Sequence, residues 1–117
     1  MNILNQSAIE TLRDLQKKTG RNLLGDLIKL YIETTPPIFI NMKTHLKANA
    51  FEDLSREAHS LKSSSANIGA IKIEELARTI EYKIIRNEAC TPELLLNLIT
   101  EIEKIFPETC MALSSLN

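Results

Sequence analysis

Apolar residues recur at three- and four-residue intervals along nearly the whole chain, the periodicity of helices that each bury one face. After a short apolar lead-in over Met1–Leu4, Ile9, Leu12 and Leu15 share one side of a first amphipathic helix. Asn5 or Ser7 can cap its start and Gly20 can end it. From Asn22 a second helix turns Leu24, Leu27, Ile28 and Tyr31 inward, then meets Thr34-Thr35-Pro36-Pro37. Proline has no N–H and crowds the preceding turn, so the helix must stop, kink or restart there. Thr35-Pro36 also has the order of an N-cap and a first helical residue, after which Ile38, Met42 and Leu46 resume the stripe. The expectation is one long, bent helix ending near Lys47.

A turn over Ala48–Ala50 leads into a third helix, Phe51 to Ala66, with Leu54, Ala58, Leu61 and Ser65 on its buried side. Asn67, Ile68 and Gly69 form the connection, Gly69 being suited to positive φ at a helix end. The fourth helix, Ala70 to Arg86, has Ile73, Leu76, Ala77, Ile80 and Ile84 at core spacing. So short a link makes helices three and four antiparallel neighbours, which brings Glu81 within reach of His59. After a loop over Asn87–Cys90, Thr91-Pro92-Glu93 supplies a cap, an N1 proline and an early acid. The last helix buries Leu95, Leu98, Ile102 and Ile105 and continues, kinked at Pro107, through Cys110 and Leu113. The five segments predict an all-α fold, an antiparallel four-helix bundle with an additional N-terminal capping helix, as a single domain over residues 1–117.

Composition agrees with this. The chain has 117 residues, 44% of them hydrophobic, with three glycines and no tryptophan, enough apolar material for an unstapled core. Fourteen basic residues against 15 acidic ones give a net charge of −1, which disfavours nucleic-acid binding. The basic residues Arg13, Lys17, Lys18 and Arg21 gather where the first helix ends and are read as a solvated cap. Cys90 and Cys110 lack metal-ligand spacing or a disulfide pattern and fit a reducing cytoplasm. No apolar run is long enough to span a membrane, and the first residues lack the basic and apolar regions of a signal peptide, so no direct membrane insertion is expected.

The candidate chemistry centres on His59. It lies off the buried stripe of its helix, and its neighbours one and two turns away are Ser55, Arg56, Lys62, Ser63 and Ala66. A large imidazole therefore stands over short or cationic side chains, an accessible nucleophile with an ammonium one turn away. With an unperturbed pKa of about 6.5, much of such a ring is uncharged near neutrality. His45, between Lys43 and Lys47 and without a second ligand at metal spacing, is read as a solvated surface histidine. Serines 63–65 belong to no hydrolase-like order and supply small size and helix-surface hydrogen bonds. There is no GxxxxGK[ST] loop, no kinase-like glycine loop and no acidic cluster for Mg²⁺, so no ATP binding and no autonomous catalysis are expected. Lys62 or Glu81 alone would be an ordinary surface charge.

The order Ala58-His59-Ser60-Leu61-Lys62-Ser63-Ser64-Ser65-Ala66-Asn67-Ile68-Gly69-Ala70, followed by Ile73, Ala77, Ile80 and Glu81, resembles the signature of the histidine phosphotransfer (HPt) domain family. Two positions depart from it: Ser63, where the family most often has glycine, and Ala77, often cysteine. The resemblance implies that His59 accepts a phosphoryl group from a receiver-domain aspartate and passes it to another receiver, as an intermediate of a two-component phosphorelay. Glu81 matches the position that holds Nδ1 and leaves Nε2 outward. Lys62 has two expected effects, disfavouring the imidazolium and stabilising the phosphoryl oxygens, and Glu81 opposes the first. Arg56, Ser63, Ala66 and Gly69 are the expected partner-contact positions, within an apolar rim assigned to Ile9, Leu12 and Ile68. Response-regulator receiver domains, with a hybrid sensor histidine kinase as a further candidate, are the implied partners. No cofactor belongs to the chain itself, Mg²⁺ being held by the receiver, and a cytoplasmic monomer is expected. Two alternatives stay open, a docking-only bundle and a carrier phosphorylated directly by a kinase catalytic domain, as in chemotaxis kinases.

Overall fold

The computed structural model describes residues 3–88 and 90–116, and among them every regular element is an α-helix. Met1 and Asn2 of the expected lead-in and Ala89 of the expected loop lie outside the described residues, as does Asn117. The helices are α1 (Gln6–Thr19), α2 (Leu23–Lys47), α3 (Phe51–Ile68), α4 (Ile71–Arg86) and α5 (Pro92–Ser114). In the bundle α2 packs on α3 and α5, and α4 packs on the same two, with α3–α4 the most extensive pairing. Helix α1 lies across one end, against α2 and α3. The expected bundle with a capping helix is the observed architecture. No helix among the described residues is long and apolar enough to cross a membrane.

Each boundary has a local cause. The Asn5 side chain accepts the N–H groups of Ser7 and Ala8, which satisfies orphan donors of α1, and Gly20 closes the helix at φ 70°. Ile9 and Leu12 are buried, whereas Leu15, expected on the same stripe, is 44% exposed because α1 caps only one end of the bundle. Thr91 Oγ1 accepts the Leu94 N–H at 3.2 Å, with Pro92 as the first residue of α5.

Helix α2 runs without interruption through Pro36 and Pro37, so the expected long helix is found and the capping role for Thr35 is not. Thr35 is buried inside the helix, and its hydroxyl donates to the Tyr31 carbonyl instead of accepting a backbone N–H. Both prolines face solvent, where water can satisfy the carbonyls they leave without a donor. The same holds for α5, which passes the exposed Pro107 and buries Thr109 and Leu113 beyond it. The α5 stripe is centred on Leu95, Ile99 and Ile102, leaving Leu98 and Ile105 half-buried. Phe106 meets Phe39 edge-on at 5.2 Å and Tyr31 at 6.1 Å, which ties α5 to α2.

The α3–α4 connection is tighter than the sequence suggested. Helix α3 extends to Ile68, and only Gly69 and Ala70 separate it from α4. Gly69 adopts φ 81°, and a Cβ there would lie 3.1 Å from the Asn5 backbone oxygen. The Asn5 N–H donates to the Gly69 carbonyl at 2.7 Å, so the turn also anchors α1.

Candidate functional site

Burying Leu54, Ala58, Leu61 and Ser65 commits the opposite face of α3 to solvent, and His59 stands there with its side chain 59% exposed. Because α4 returns antiparallel from a two-residue turn, the middle of α4 lies beside the middle of α3. Glu81 consequently points at His59, with Oε2 2.7 Å from Nδ1. Its other oxygen, Oε1, accepts a hydrogen bond from Lys62 Nζ at 2.6 Å. Glu81 is only 13% exposed and Lys62 25%, so the carboxylate is enclosed while the far edge of the imidazole stays open.

Burial pushes the Glu81 carboxyl upward, but hydrogen bonds from Lys62 and His59, together with their charges, outweigh it and hold the group below the usual carboxylate range. An ionised carboxylate can only accept, so the short contact requires the hydrogen on Nδ1. In the neutral ring Nε2 then carries the lone pair, on the side away from Glu81. The arrangement holds the ring in one tautomer while leaving more than half of the side chain exposed.

Of the other sequence-derived positions, Ser63 is exposed and Ala66 half-buried on the same face, both small enough for close approach. Arg56 is 69% exposed, with its guanidinium turned back to Glu52 at 2.7 Å and Asp53 at 3.2 Å. Gly69 is buried beneath the start of α1, so its expected place at a partner surface is corrected: it is a structural turn residue. Of the expected apolar rim, Ile9 is fully buried, while Leu12 and Ile68, 9% and 3% exposed, reach the surface only as lining of the two clefts near this face. His45 is not fully solvated either; its side chain is 28% exposed, with Nε2 3.8 Å from Glu57 Oε1 on α3.

The open apolar surface near the site lies in two clefts whose floor is core and whose edges are exposed apolar side chains. A cleft of about 200 Å³ between α2 and α3 is lined by Leu27, Leu30, Tyr31, Thr34, Ser64, Asn67 and Ile68. A second, of about 480 Å³, adds Ala8, Thr11, Leu12, Leu15, Leu23 and Ala66 and shares Leu27 and Asn67 with the first. Leu15 and Leu30 are the exposed large side chains here, at 44% and 54%. Leu30 is an apolar residue out of phase with its helix, whereas Leu15 is in phase with Ile9 and Leu12 and its exposure has no signal in the sequence. Beneath this face Tyr31 and Ser65 share a buried hydrogen bond of 2.7 Å. Burial pushes the Tyr31 hydroxyl up to about 12, partly opposed by the bond to Ser65 and reinforced by Cys110. The signal for that pair was a serine at core spacing.

Among the described residues no group of three or more His, Cys, Asp or Glu side chains is arranged to hold a metal ion. A family model described as the Hpt domain matches residues 26–106, more than two thirds of the chain. No curated protein and no solved structure matches.

Proposed function

The chain belongs to the Hpt domain family, whose members carry phosphoryl groups on histidine in two-component signalling and interact there with receiver domains and kinases, and on that premise we propose that it is a phosphorelay intermediate with His59 as acceptor. The observation that supports this most is the asymmetry of the ring: Nδ1 is tied to the enclosed Glu81 carboxylate, while the rest of the side chain is open. The Nε2 lone pair attacks the phosphorus of a receiver's aspartyl phosphate. The N–P bond forms, the P–O bond to the aspartate breaks, and the aspartate leaves as a carboxylate with the electron pair. The proton stays on Nδ1, and the ring becomes cationic beside Glu81, which serves as its counter-ion. Attack by a second receiver's aspartate reverses these changes and releases the neutral ring. No net proton transfer is needed in either direction.

Mg²⁺ and the activating residues come from the receiver, which docks over Ser63 and Ala66 with Arg56 at the border. The clefts containing Leu15, Leu27 and Leu30 supply its apolar footing, an area suited to transient association. On this reading the chain works as a cytoplasmic monomer, serving receivers that include those of hybrid sensor kinases. The test is incubation with a receiver pre-loaded with phosphate and Mg²⁺, comparing wild type with His59→Gln. An acid-labile, alkali-stable label on the wild type alone is expected. Labelling by a kinase catalytic domain and ATP without any receiver would replace this reading with direct phosphorylation. A folded chain that neither route labels would leave a docking bundle.

A further inference from the structure

The walls of the two clefts beside the site are apolar except for Thr11, Tyr31, Thr34, Ser64 and Asn67. Four of these polar side chains are already committed within the chain. The Thr11 hydroxyl donates to the Ser7 carbonyl at 3.0 Å, Thr34 to Leu30 at 2.7 Å and Ser64 to Leu61 at 3.2 Å, each turned back into its own helix. Tyr31 shares its buried hydrogen bond with Ser65. Each of the four therefore has a partner before anything docks. Asn67 differs: its side chain is exposed, and its carboxamide makes no hydrogen bond among the described residues. Its position is equally particular. Asn67 on α3 and Leu27 on α2 line both clefts, so the amide stands on the divide between them. Covering this apolar surface is favourable, but it also takes water from two N–H donors and a carbonyl acceptor. Left unmatched, such a group weakens association by about tenfold.

We infer that Asn67 is a specificity-determining residue, which selects receivers that present a hydrogen-bonding group between two apolar contacts and rejects those whose contact surface is unbroken hydrocarbon. The inference rests on the reading of the chain as a carrier docked by receivers. On that reading Leu15, Leu27 and Leu30 supply attraction common to many receivers, and Asn67 supplies the difference between them. A matching receiver replaces the water lost from the amide and keeps the gain from both clefts. A receiver with a continuous apolar contact buries the same area but strands the amide, a sharper ground for rejection than the fit of either cleft. Asn67 lies eight residues beyond His59 on α3, about 12 Å along the helix axis, so it acts on docking and not on the reacting phosphorus.

The experiment compares wild type with Asn67→Leu, which keeps the approximate size and removes the hydrogen-bonding groups, and Asn67→Gln, which keeps those groups on a longer stem. Helical circular dichroism checks that each is folded. In the first arm, a panel of receiver domains loaded with acetyl phosphate and Mg²⁺ labels each chain, and initial rates are followed against chain concentration. For the fastest receiver, Asn67→Leu should raise KM about tenfold and change kcat less than about twofold. For the slow receivers the same change should lower KM, so that rates across the panel draw together, and Asn67→Gln should restore part of the spread. In the second arm, the unphosphorylated receivers are titrated into the ¹⁵N-labelled His59→Gln chain, where docking is read without transfer. The Asn67 side-chain NH₂ resonances, assigned by their loss in Asn67→Leu, should shift on saturation with the fast receivers. Rates that change by one common factor across the panel would overturn the inference, as would a kcat loss at constant KM. So would docking that moves the Leu27 and Leu30 backbone amides and leaves the Asn67 NH₂ pair in place. Receivers that dock and engage Asn67 but label no chain would overturn the acceptor role of His59 alone. Absence of any docking would overturn both.

Discussion

Replacing Glu81 by glutamine should destabilise the domain at neutral pH, and the difference should disappear in acid. Glu81 is 13% exposed and accepts from Lys62 Nζ and His59 Nδ1. Burial opposes its ionisation, but the two hydrogen bonds and the adjacent charges prevail and lower its pKa from 4.5 in the folded chain. Folding therefore favours the ionised form. That contribution is fully present above the unfolded value of 4.5 and is lost as pH falls through the lower, folded value. Glutamine keeps one oxygen for one donor, removes the charge and places an NH₂ against the other donor. A hydrogen bond to a charged group nets roughly 1.5–3 kcal/mol. Because the His59 side of the pair is 59% exposed, a loss of about 1–2 kcal/mol is the reasonable figure. Unfolding entropy of about 2.1 cal/mol/K per residue makes each kcal/mol worth about 4 °C in a chain of 117 residues. The melting temperature at neutral pH should thus fall by roughly 4–8 °C. Thermal scans of the helical circular dichroism signal, at neutral pH and well below pH 4.5, measure the gap between the two proteins. A gap that persists or widens in acid would refute the reasoning, as would no gap at neutral pH.

Three other perturbations have expected outcomes. Ser65→Ala strands the Tyr31 hydroxyl in a site where Tyr31 is 4% exposed, at a cost of about 1–3 kcal/mol; Ser65→Ala with Tyr31→Phe should cost less than the sum of the two single changes in urea unfolding. Gly69→Ala forces a side chain into φ 81° and toward the Asn5 oxygen, so stability should fall by about 1–2 kcal/mol. Hydrogen exchange should rise first at the Ser7, Ala8 and Ile9 amides, which depend on Asn5 for their partners. Leu30→Glu, at a position 54% exposed, should change stability by no more than about 0.5 kcal/mol yet slow labelling by a receiver, and equal rates would remove Leu30 from the docking surface.

The bundle was legible because helical periodicity, N-caps and breakers agree along the chain. Asn5, Gly20, Gly69 and Thr91-Pro92 each mark the boundary the structure shows. The approach of Glu81 to His59 was legible for the same reason: a very short turn between two helices leaves few ways for them to pair. Other features depended on what covers each helix, which periodicity does not reveal. Leu15 shares the phase of Ile9 and Leu12 but runs past the end of the surface that α1 covers. Ile9 and Leu12 were legible as the apolar side of a capping helix, but how fully that side is closed over depends on the way α1 lies against α2 and α3. The commitment of Lys62 to Glu81 turns on angstroms, since a flexible lysine at the same position could equally face outward.

The tightness of the α3–α4 turn is what allows an exposed imidazole to have a defined tautomer. An imidazole held by water or by a long side chain on its own helix would exchange its proton between nitrogens. A carboxylate on a neighbouring helix can hold the proton only if the two helices keep their register. Gly69 secures that register, because positive φ reverses the chain within two residues and its carbonyl also anchors the start of α1. The α3–α4 pairing, the most extensive in the bundle, then fixes Glu81 against His59 without any residue having to cover Nε2. Loosening the turn should consequently disorder the proton before it unfolds the domain. In Gly69→Ala the His59 ¹⁵N resonances should begin to average at temperatures where the helical signal is still intact. Ring averaging that coincides with global unfolding would show that the tautomer draws its order from the bundle as a whole and not from this turn.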